Sequence, residues 1–523
     1  MTLQTLLKHA TEKSPEKTAI SYEQKKVTYG EIDTLSSRFA GALIEHGVKK
    51  GDRVALFLQN SPSFVIAYFG VLKAGAVVVA VNSLFKEGEL EGQLCDSGAQ
   101  SIVVLESLYP VVEKIRDRTL LKNVIIAGLN VYSYSLSVNT CLDVLDFGVL
   151  IRKGVCERLD LQFNPEVDLA VLQYTGGTMG RPKGVMLTHA NLVSNATSFA
   201  SWIRGVPEDV FLSALPFFHA YGMTTSMIMP ISLGAEMVIL PKFDPVESLR
   251  VMEQCGITVF CGSPIMYALL LTALEEGKIN LRSVRLCISG AAPLSFEVQK
   301  RFMQATGCFL VEGYGLTEAS PVTHCMPIDK SIQRKVKVGS IGVPLSGTDA
   351  RIVDLETGHK PLAVGEWGEL AVRGPQVMKG YWQSPEETVK VLQRGWLLTG
   401  DIAFVDSEGY FYIVDRKKDL IKHKDYSVYP SELEKILHTH KAVKFCVVIG
   451  KPDMLTGEVP KAYVVLKEDV DTTKAELLEF VNSKVAAYKA IGEVEFCKDL
   501  PINSAGKILR QSLKGMSENN VKS

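Results

Sequence analysis

Apolar positions in the first third of the chain follow two different spacings. Leu3 to Ala10 and Tyr29 to His46 carry them at helical intervals, whereas Arg53 to Leu58 and Ala76 to Val81 are short apolar or β-branched runs. Phe64 to Ala74 lies between those runs as an apolar helix, and Ser101 to Leu105 and Asn123 to Ala127 read as further buried strands. Strands alternating with helices predict βαβ units and a largely parallel sheet.

The alternation continues from about 166 to 330, with strands predicted at Val167 to Tyr174, Met237 to Leu240, Val259 to Cys261 and Arg285 to Ser289. From 335 to 415 the texture changes to short strands and glycine turns: Gly339 to Gly342, Ala350 to Asp354, Glu366 to Arg373 and Phe411 to Asp415. The charged run Asp415 to Asp419 reads as a hinge. Beyond it, Ser431 to His438 is predicted helical, with Glu434 at the spacing of a capping box. Phe445 to Ile449 and Ala462 to Leu466 read as strands, and Lys474 to Ala487 is amphipathic. The expected fold is α/β. A large N-terminal domain over 1–416 holds two α/β subdomains and a β-rich, barrel-like subdomain at 335–415; a small mobile α+β domain follows over 417–523.

Charge narrows the function classes. Lysine plus arginine number 57 and aspartate plus glutamate 58, a net charge of −1, which argues against a nucleic-acid binder driven by bulk charge. None of the ten cysteines forms a C-x-x-C pair, so zinc and a disulfide framework are both disfavoured and free thiols in a reducing cytosol are expected. Met1 to Ile20 has no apolar signal core. Val210 to Ala235 is free of formal charge over 26 residues. Pro216, Gly222, Pro230 and Gly234 interrupt it, so a buried strand, a loop and a short core helix are expected rather than a transmembrane segment. A cytoplasmic protein follows, with peripheral membrane contact left open through greasy substrates and a homodimer left open as well.

The strongest chemical signal is Tyr174-Thr175-Gly176-Gly177-Thr178-Met179-Gly180-Arg181-Pro182-Lys183-Gly184. Four glycines in eleven residues let backbone N–H groups converge on an anion, and two threonine hydroxyls and a lysine add donors. A Walker A loop needs adjacent Gly-Lys followed by Ser or Thr, and a dinucleotide fingerprint needs G-x-G-x-x-G; this string has neither.

The loop resembles the signature of the adenylate-forming superfamily, which includes acyl-CoA synthetases, firefly luciferase and peptide-synthetase adenylation domains. The resemblance runs on through Leu215-Pro216-Phe217-Phe218-His219, Ser289-Gly290-Ala291-Ala292-Pro293-Leu294, Gly313-Tyr314-Gly315-Leu316-Thr317-Glu318 and Leu398-Thr399-Gly400-Asp401. It ends with Asp415-Arg416-Lys417-Lys418-Asp419 and the segment from Pro501 to Arg510, so it covers essentially the whole chain. The run after Glu318, Ala319-Ser320-Pro321-Val322-Thr323-His324, is similar to bacterial and archaeal medium- and long-chain fatty-acid ligases.

The resemblance implies a two-step ligase using ATP, Mg²⁺ and CoA. A carboxylic acid, here a fatty acid, is first joined to AMP with release of pyrophosphate, then passed to CoA. The loop of Gly176, Gly177 and Gly180 would hold the β- and γ-phosphates, with Thr175, Thr178 and Lys183 as donors; Met179 replaces the family's usual threonine. Glu318 would bind magnesium and Thr317 the α-phosphate. Tyr314, flanked by Gly313 and Gly315, would stack on adenine, with the backbone of Gly290, Ala291 and Ala292 facing the base. Asp401, assisted by Arg416, would accept from the ribose hydroxyls. Lys507 is the implied catalytic lysine, and His219 would sit beside the acyl pocket on the thiol's route.

The resemblance also implies a small domain that swings about Lys418 between a pose presenting Lys507 and one presenting Lys422 to the adenylate. Asp425 stands on the CoA tunnel where relatives usually carry glycine. Its carboxylate adds bulk and negative charge beside the pantetheine path, and both a slowed thioester step and a tolerated substitution stay open. Comparing Asp425→Gly with the parent in each half-reaction separates them. Two further readings are an adenylate-forming ligase for an aryl acid or a carrier-protein thiol, and a nucleotide-binding protein with a degenerate site.

Overall fold

The computed structural model describes residues 1–129, 144–154, 161–175, 182–276, 279–328, 337–424, 426–453, 455–467, 470–501, 510 and 512–513. Two compact units emerge: Met1–Ala350 with Val372–Leu397, and Arg351–Ala371 with Leu398–Ser523. The strands at 398–416 therefore associate with the C-terminal residues, whereas the sequence reading put its boundary at 416.

The first unit contains two large sheets. One runs Gly380–Tyr381, Lys183–Thr188, Leu169–Thr175, Val77–Ala80, Arg53–Phe57, Ser101–Leu105, Asn123–Ala127 and Val144–Asp146, parallel from Leu169–Thr175 onward. The other runs Val343–Pro344, Val322–Cys325, Phe309–Gly315, Leu286–Ser289, Val259–Gly262, Val210–Ser213, Glu236–Ile239, Thr18–Tyr22 and Lys25–Thr28. Its interior pairs are parallel and its two ends antiparallel. Inner strands such as Val77–Ala80, Ser101–Leu105 and Leu286–Ser289 are buried on both faces, which is why they read as continuous apolar runs. The helix Pro62–Lys73, started by the Ser61 side chain accepting from Phe64 N–H, buries every residue from Pro62 to Leu72.

The uncharged stretch at 210–235 forms the strand Val210–Ser213, a loop, and a helical run from Ala220 to Leu233 that widens to a π-turn at Thr224–Ile228. No helix among the described residues is long and apolar enough to cross a membrane. All described cysteines are free; Cys261, Cys287, Cys308, Cys325 and Cys446 are buried.

In the second unit, Trp396–Val405 pairs antiparallel with Phe411–Arg416. Beyond them, a five-stranded sheet of Tyr426–Val428, Ile421–His423, Gly457–Leu466, Val443–Asp453 and Glu493–Phe496 packs on the helices Pro430–His438 and Lys474–Asn482. Ile421, Leu433, Leu437, Val448, Val464, Leu477 and Val481 form its core.

The structure refines three local readings. The Gly339 to Gly342 segment leads into the strand Val343–Pro344 of the second large sheet. The amphipathic stretch Lys474 to Ala487 is helical over Lys474–Asn482, and the Asn482 side chain exchanges hydrogen bonds with Ile491 N–H and C=O at 2.8 and 3.0 Å. The expected capping box at Ser431 does not form. Tyr429 is the N-cap, Ser431 N–H donates to Asp415 at 2.9 Å, and Glu434 turns away to Arg510.

Candidate active site

Thr175 ends one strand and Lys183 begins the next, and the two are direct partners across the base of the glycine-rich loop. Gly176, Gly177, Thr178 and Gly180 lie outside the described residues. The strand Lys183–Thr188 also pairs with Gly380–Tyr381, which brings Tyr381 to the loop's exit. The Lys183 ammonium lies 5.0 Å from the centroid of the Tyr381 ring and is ion-paired with Glu387. Lys183 and Lys390 together hold the Glu387 carboxyl down at about 2.

Glu318 sits in the 3₁₀ turn Thr317–Ala319 that follows the strand Phe309–Gly315. Its Oε1 accepts from the Tyr381 hydroxyl at 2.8 Å, and its carbonyl accepts from Met378 N–H at 2.8 Å. Burial, with the Glu318 charge beside it, raises the Tyr381 phenol, so the tyrosine stays a donor. Lys183 and Glu318 are thus organised around one residue, Tyr381, that the motif reading did not single out. The signal for it was Gly380-Tyr381 following the Gly374-Pro375 turn, too common a pattern to stand out alone.

Gly290 follows the strand Leu286–Ser289 at the carboxyl edge of the parallel sheet, where open α/β sheets bind ligands. A Cβ there would lie 2.9 Å from the Tyr221 ring, whose hydroxyl donates to Ile288 C=O at 3.1 Å. Ala291 follows with φ of +72°, and it is exposed. Tyr314 is half-buried, and its ring meets the buried His324 ring edge-on at 6.0 Å. Burial depresses His324 to about 3, so it is neutral. The glycines flanking Tyr314 differ. A Cβ on Gly315 would fall 2.0 Å from Pro321 O, whereas Gly313 has ordinary van der Waals room. Gly315 is therefore demanded by the fold itself.

His219 caps the helical turn Ala220–Met223. Its loop is pinned by two buried amides: Asn60 accepts from Phe217 N–H and donates to Leu215 C=O, both at 2.8 Å, and Gln173 donates to Phe218 C=O at 2.7 Å. His219 Nε2 is buried with no protein partner among the described residues, and burial lowers the imidazole below its usual value. The ring is therefore neutral.

In the second unit, Asp401 and Arg416 are register partners, and the Arg416 Nε lies 3.2 Å from Asp401 Oδ1. Asp401 is 5 % exposed, and the preceding Gly400 N–H is held by Glu369, which also pairs with Lys417 at 2.7 Å. Lys418 is exposed in the turn Lys417–Asp419, and Lys422 is exposed on the strand Ile421–His423. Asp425 and Lys507 lie outside the described residues.

In the first unit a carboxylate held by a phenol lies beside the strands that flank the glycine-rich string; in the second, the buried Asp401 carboxylate pairs with a partly exposed Arg416. The chain belongs to the AMP-binding enzyme family, which matches residues 7–382, with the AMP-binding enzyme C-terminal domain matching residues 432–507. It is 44% identical over 530 residues to the long-chain-fatty-acid–CoA ligase of Bacillus subtilis (strain 168), across 98% of this chain and 94% of that one. ATP-bound MatB from Rhodopseudomonas palustris superposes with a TM-score of 0.88 at 29% identity, covering 99% of this chain and all 100% of the other. The anthranilate CoA ligase AuaEII in complex with anthranoyl-AMP superposes with a TM-score of 0.87 at 28% identity, covering 100% and 98%.

Proposed function

We propose that this chain is an ATP-dependent acyl-CoA synthetase that activates a fatty acid as its acyl-adenylate and transfers the acyl group to CoA. The observation that carries the reading is the Lys183–Tyr381–Glu318 arrangement at the exit of the glycine-rich loop, in a chain 44% identical to a long-chain-fatty-acid–CoA ligase.

In the first step the carboxylate oxygen attacks the α-phosphorus of ATP and pyrophosphate leaves. Two anions must meet, so the site has to neutralise accumulating charge. Thr175, Thr178 and Lys183 bind the β- and γ-phosphates, with Lys183 exchanging its Glu387 partner for phosphate oxygen. Thr317 meets the α-phosphate, Tyr314 stacks on adenine, and Asp401 with Arg416 holds the ribose. Lys507 contacts the carboxylate and α-phosphate as charge builds. In the second step the small domain turns about Lys418, Lys422 faces the adenylate, and the thiol of CoA enters beside neutral His219 and displaces AMP.

Mg²⁺ suits the donors present. It is a hard cation that takes one or two carboxylates plus phosphate and water. Glu318 offers one carboxylate, orientated by Tyr381, and the described residues hold no cluster of three or more His, Cys, Asp or Glu that would form a cage. When bound with ATP, the ion supplies positive charge to the phosphates.

Acid-dependent pyrophosphate exchange across fatty and aryl acids, followed by CoA trapping, tests the reading. Exchange with a fatty acid and formation of acyl-CoA are expected. Lys507→Ala should lower exchange by about 10²–10³-fold, the usual loss for a donor aimed at transition-state charge. Exchange with aryl acids alone identifies an aryl ligase. Exchange without acyl-CoA identifies another acceptor, and no exchange with any acid identifies a binding protein.

A further inference from the structure

We propose that Arg510 is a positioning residue for adenylation, tying the tail that carries Lys507 to the segment that carries the hinge. The inference rests on the ligase reading above. Its Nη1 and Nη2 contact Oε1 and Oε2 of Glu434 at 2.6 and 2.9 Å, and Nη1 also donates to Val448 C=O at 2.7 Å. Nε lies 3.8 Å from Asp419, the residue after Lys418.

Glu434 is itself fixed, because its Oε1 also accepts from Val448 N–H at 2.7 Å. Its helix is bound to the strand before the hinge: Ser431 N–H donates to Asp415 Oδ2 at 2.9 Å and Ser431 Oγ to Val414 C=O at 2.6 Å. One guanidinium thus joins the tail, the Pro430–His438 helix, the Val443–Asp453 strand and the residue following the hinge. Leu513 adds a second anchor, 3 % exposed among Val447, Ile449 and Tyr463.

The side chains of Arg510 and Glu434 are only 22% and 14% exposed. A two-pronged pair this dry holds one geometry, whereas an exposed lysine–glutamate pair samples many. Lys507 precedes Arg510 by three residues, so their Cα atoms lie within about 11 Å of each other. A catalytic group displaced by about 1 Å can lose about 10²-fold in rate. Fixing the tail at Arg510 therefore limits where the lysine's stem can start. The thioester step presents Lys422 instead and does not draw on this tether.

The experiment uses the full chain and measures two half-reactions: fatty-acid-dependent pyrophosphate exchange, and acyl transfer to CoA from a synthetic acyl-adenylate. Arg510→Lys keeps the charge and loses the fork, Arg510→Ala loses both, and Glu434→Gln weakens the partner. Exchange should fall about tenfold in Arg510→Lys and about 10²-fold in Arg510→Ala, mainly in kcat, with Glu434→Gln between them. Acyl transfer from the adenylate should stay within about threefold of the parent in all three, since no step of it uses the tether. A parallel fall in both half-reactions in Arg510→Lys overturns the proposal, because the arginine is then a general structural member. Unchanged exchange in Arg510→Ala also overturns it. Parent exchange is measured first: its absence overturns the ligase reading, while a normal parent with unaltered variants overturns this inference alone.

Discussion

The Tyr381 hydroxyl donates a 2.8 Å hydrogen bond to Glu318 Oε1 across 63 residues of sequence. Tyr381 reaches that point because Gly380–Tyr381 pairs with the strand leaving the glycine-rich loop. Hydrogen bonds to a charged acceptor contribute about 1.5–3 kcal/mol, so Tyr381→Phe should cut exchange about tenfold or more. The same variant should need more Mg²⁺ for half-maximal exchange, read from a metal titration at saturating acid. An unchanged titration would remove Tyr381 from the metal's surroundings.

Glu387 occupies the Lys183 ammonium that the phosphates are expected to use. Its carboxyl is held at about 2 by Lys183 and Lys390, so it competes at every working pH. Glu387→Gln should lower the KM for ATP by about twofold to fivefold, the range of an exposed ion pair. The gain should be the same at pH 6 and pH 9. A raised KM would mean that Glu387 positions the lysine rather than competing for it.

Asp401→Ala should raise the KM for ATP about tenfold or more through loss of a charged acceptor for two hydroxyls. Exchange with 2′-deoxy-ATP discriminates: the parent should lose affinity for it, and Asp401→Ala should lose little further. Arg416→Lys, which keeps the charge beside Asp401, should be milder.

Burial raises the Glu312 carboxyl from 4.5 to about 8, and Leu294 N–H, 3.3 Å away, only partly offsets that. Below pH 4.5 both folded and unfolded chains hold the proton. Between 4.5 and 8 only the folded chain does, so stability falls as pH rises through this window and levels off above it. The loss is on the order of 2 kcal/mol, allowing for partial solvent access. Melting curves at pH 5 and 8 should show a decline in the parent that Glu312→Gln lacks.

Strands such as Asn123–Ala127 and Ser101–Leu105 were legible to the residue, because parallel strands buried on both faces appear as apolar runs closed by polar residues. Thr175, Lys183, Glu318, Asp401 and Arg416 stand out in the sequence because each lies in a motif string. Ser431 and Glu434 misled, because a local capping rule competes with distant partners. Arg510, 76 residues away, and Asp415 draw the two groups off the helix end.

The order of apolar runs and motif strings was enough to establish an α/β chain of the adenylate-forming type, since spacing along one strand or loop is a local property. Which distant side chains share a carboxylate depends on strand order and register. Only the folded chain could bring Tyr381 to Glu318, Glu387 to Lys183 and Arg510 to Glu434. Each of those pairs closes a long loop of chain, and packing of the whole unit, not any local propensity, supplies the free energy that keeps it closed.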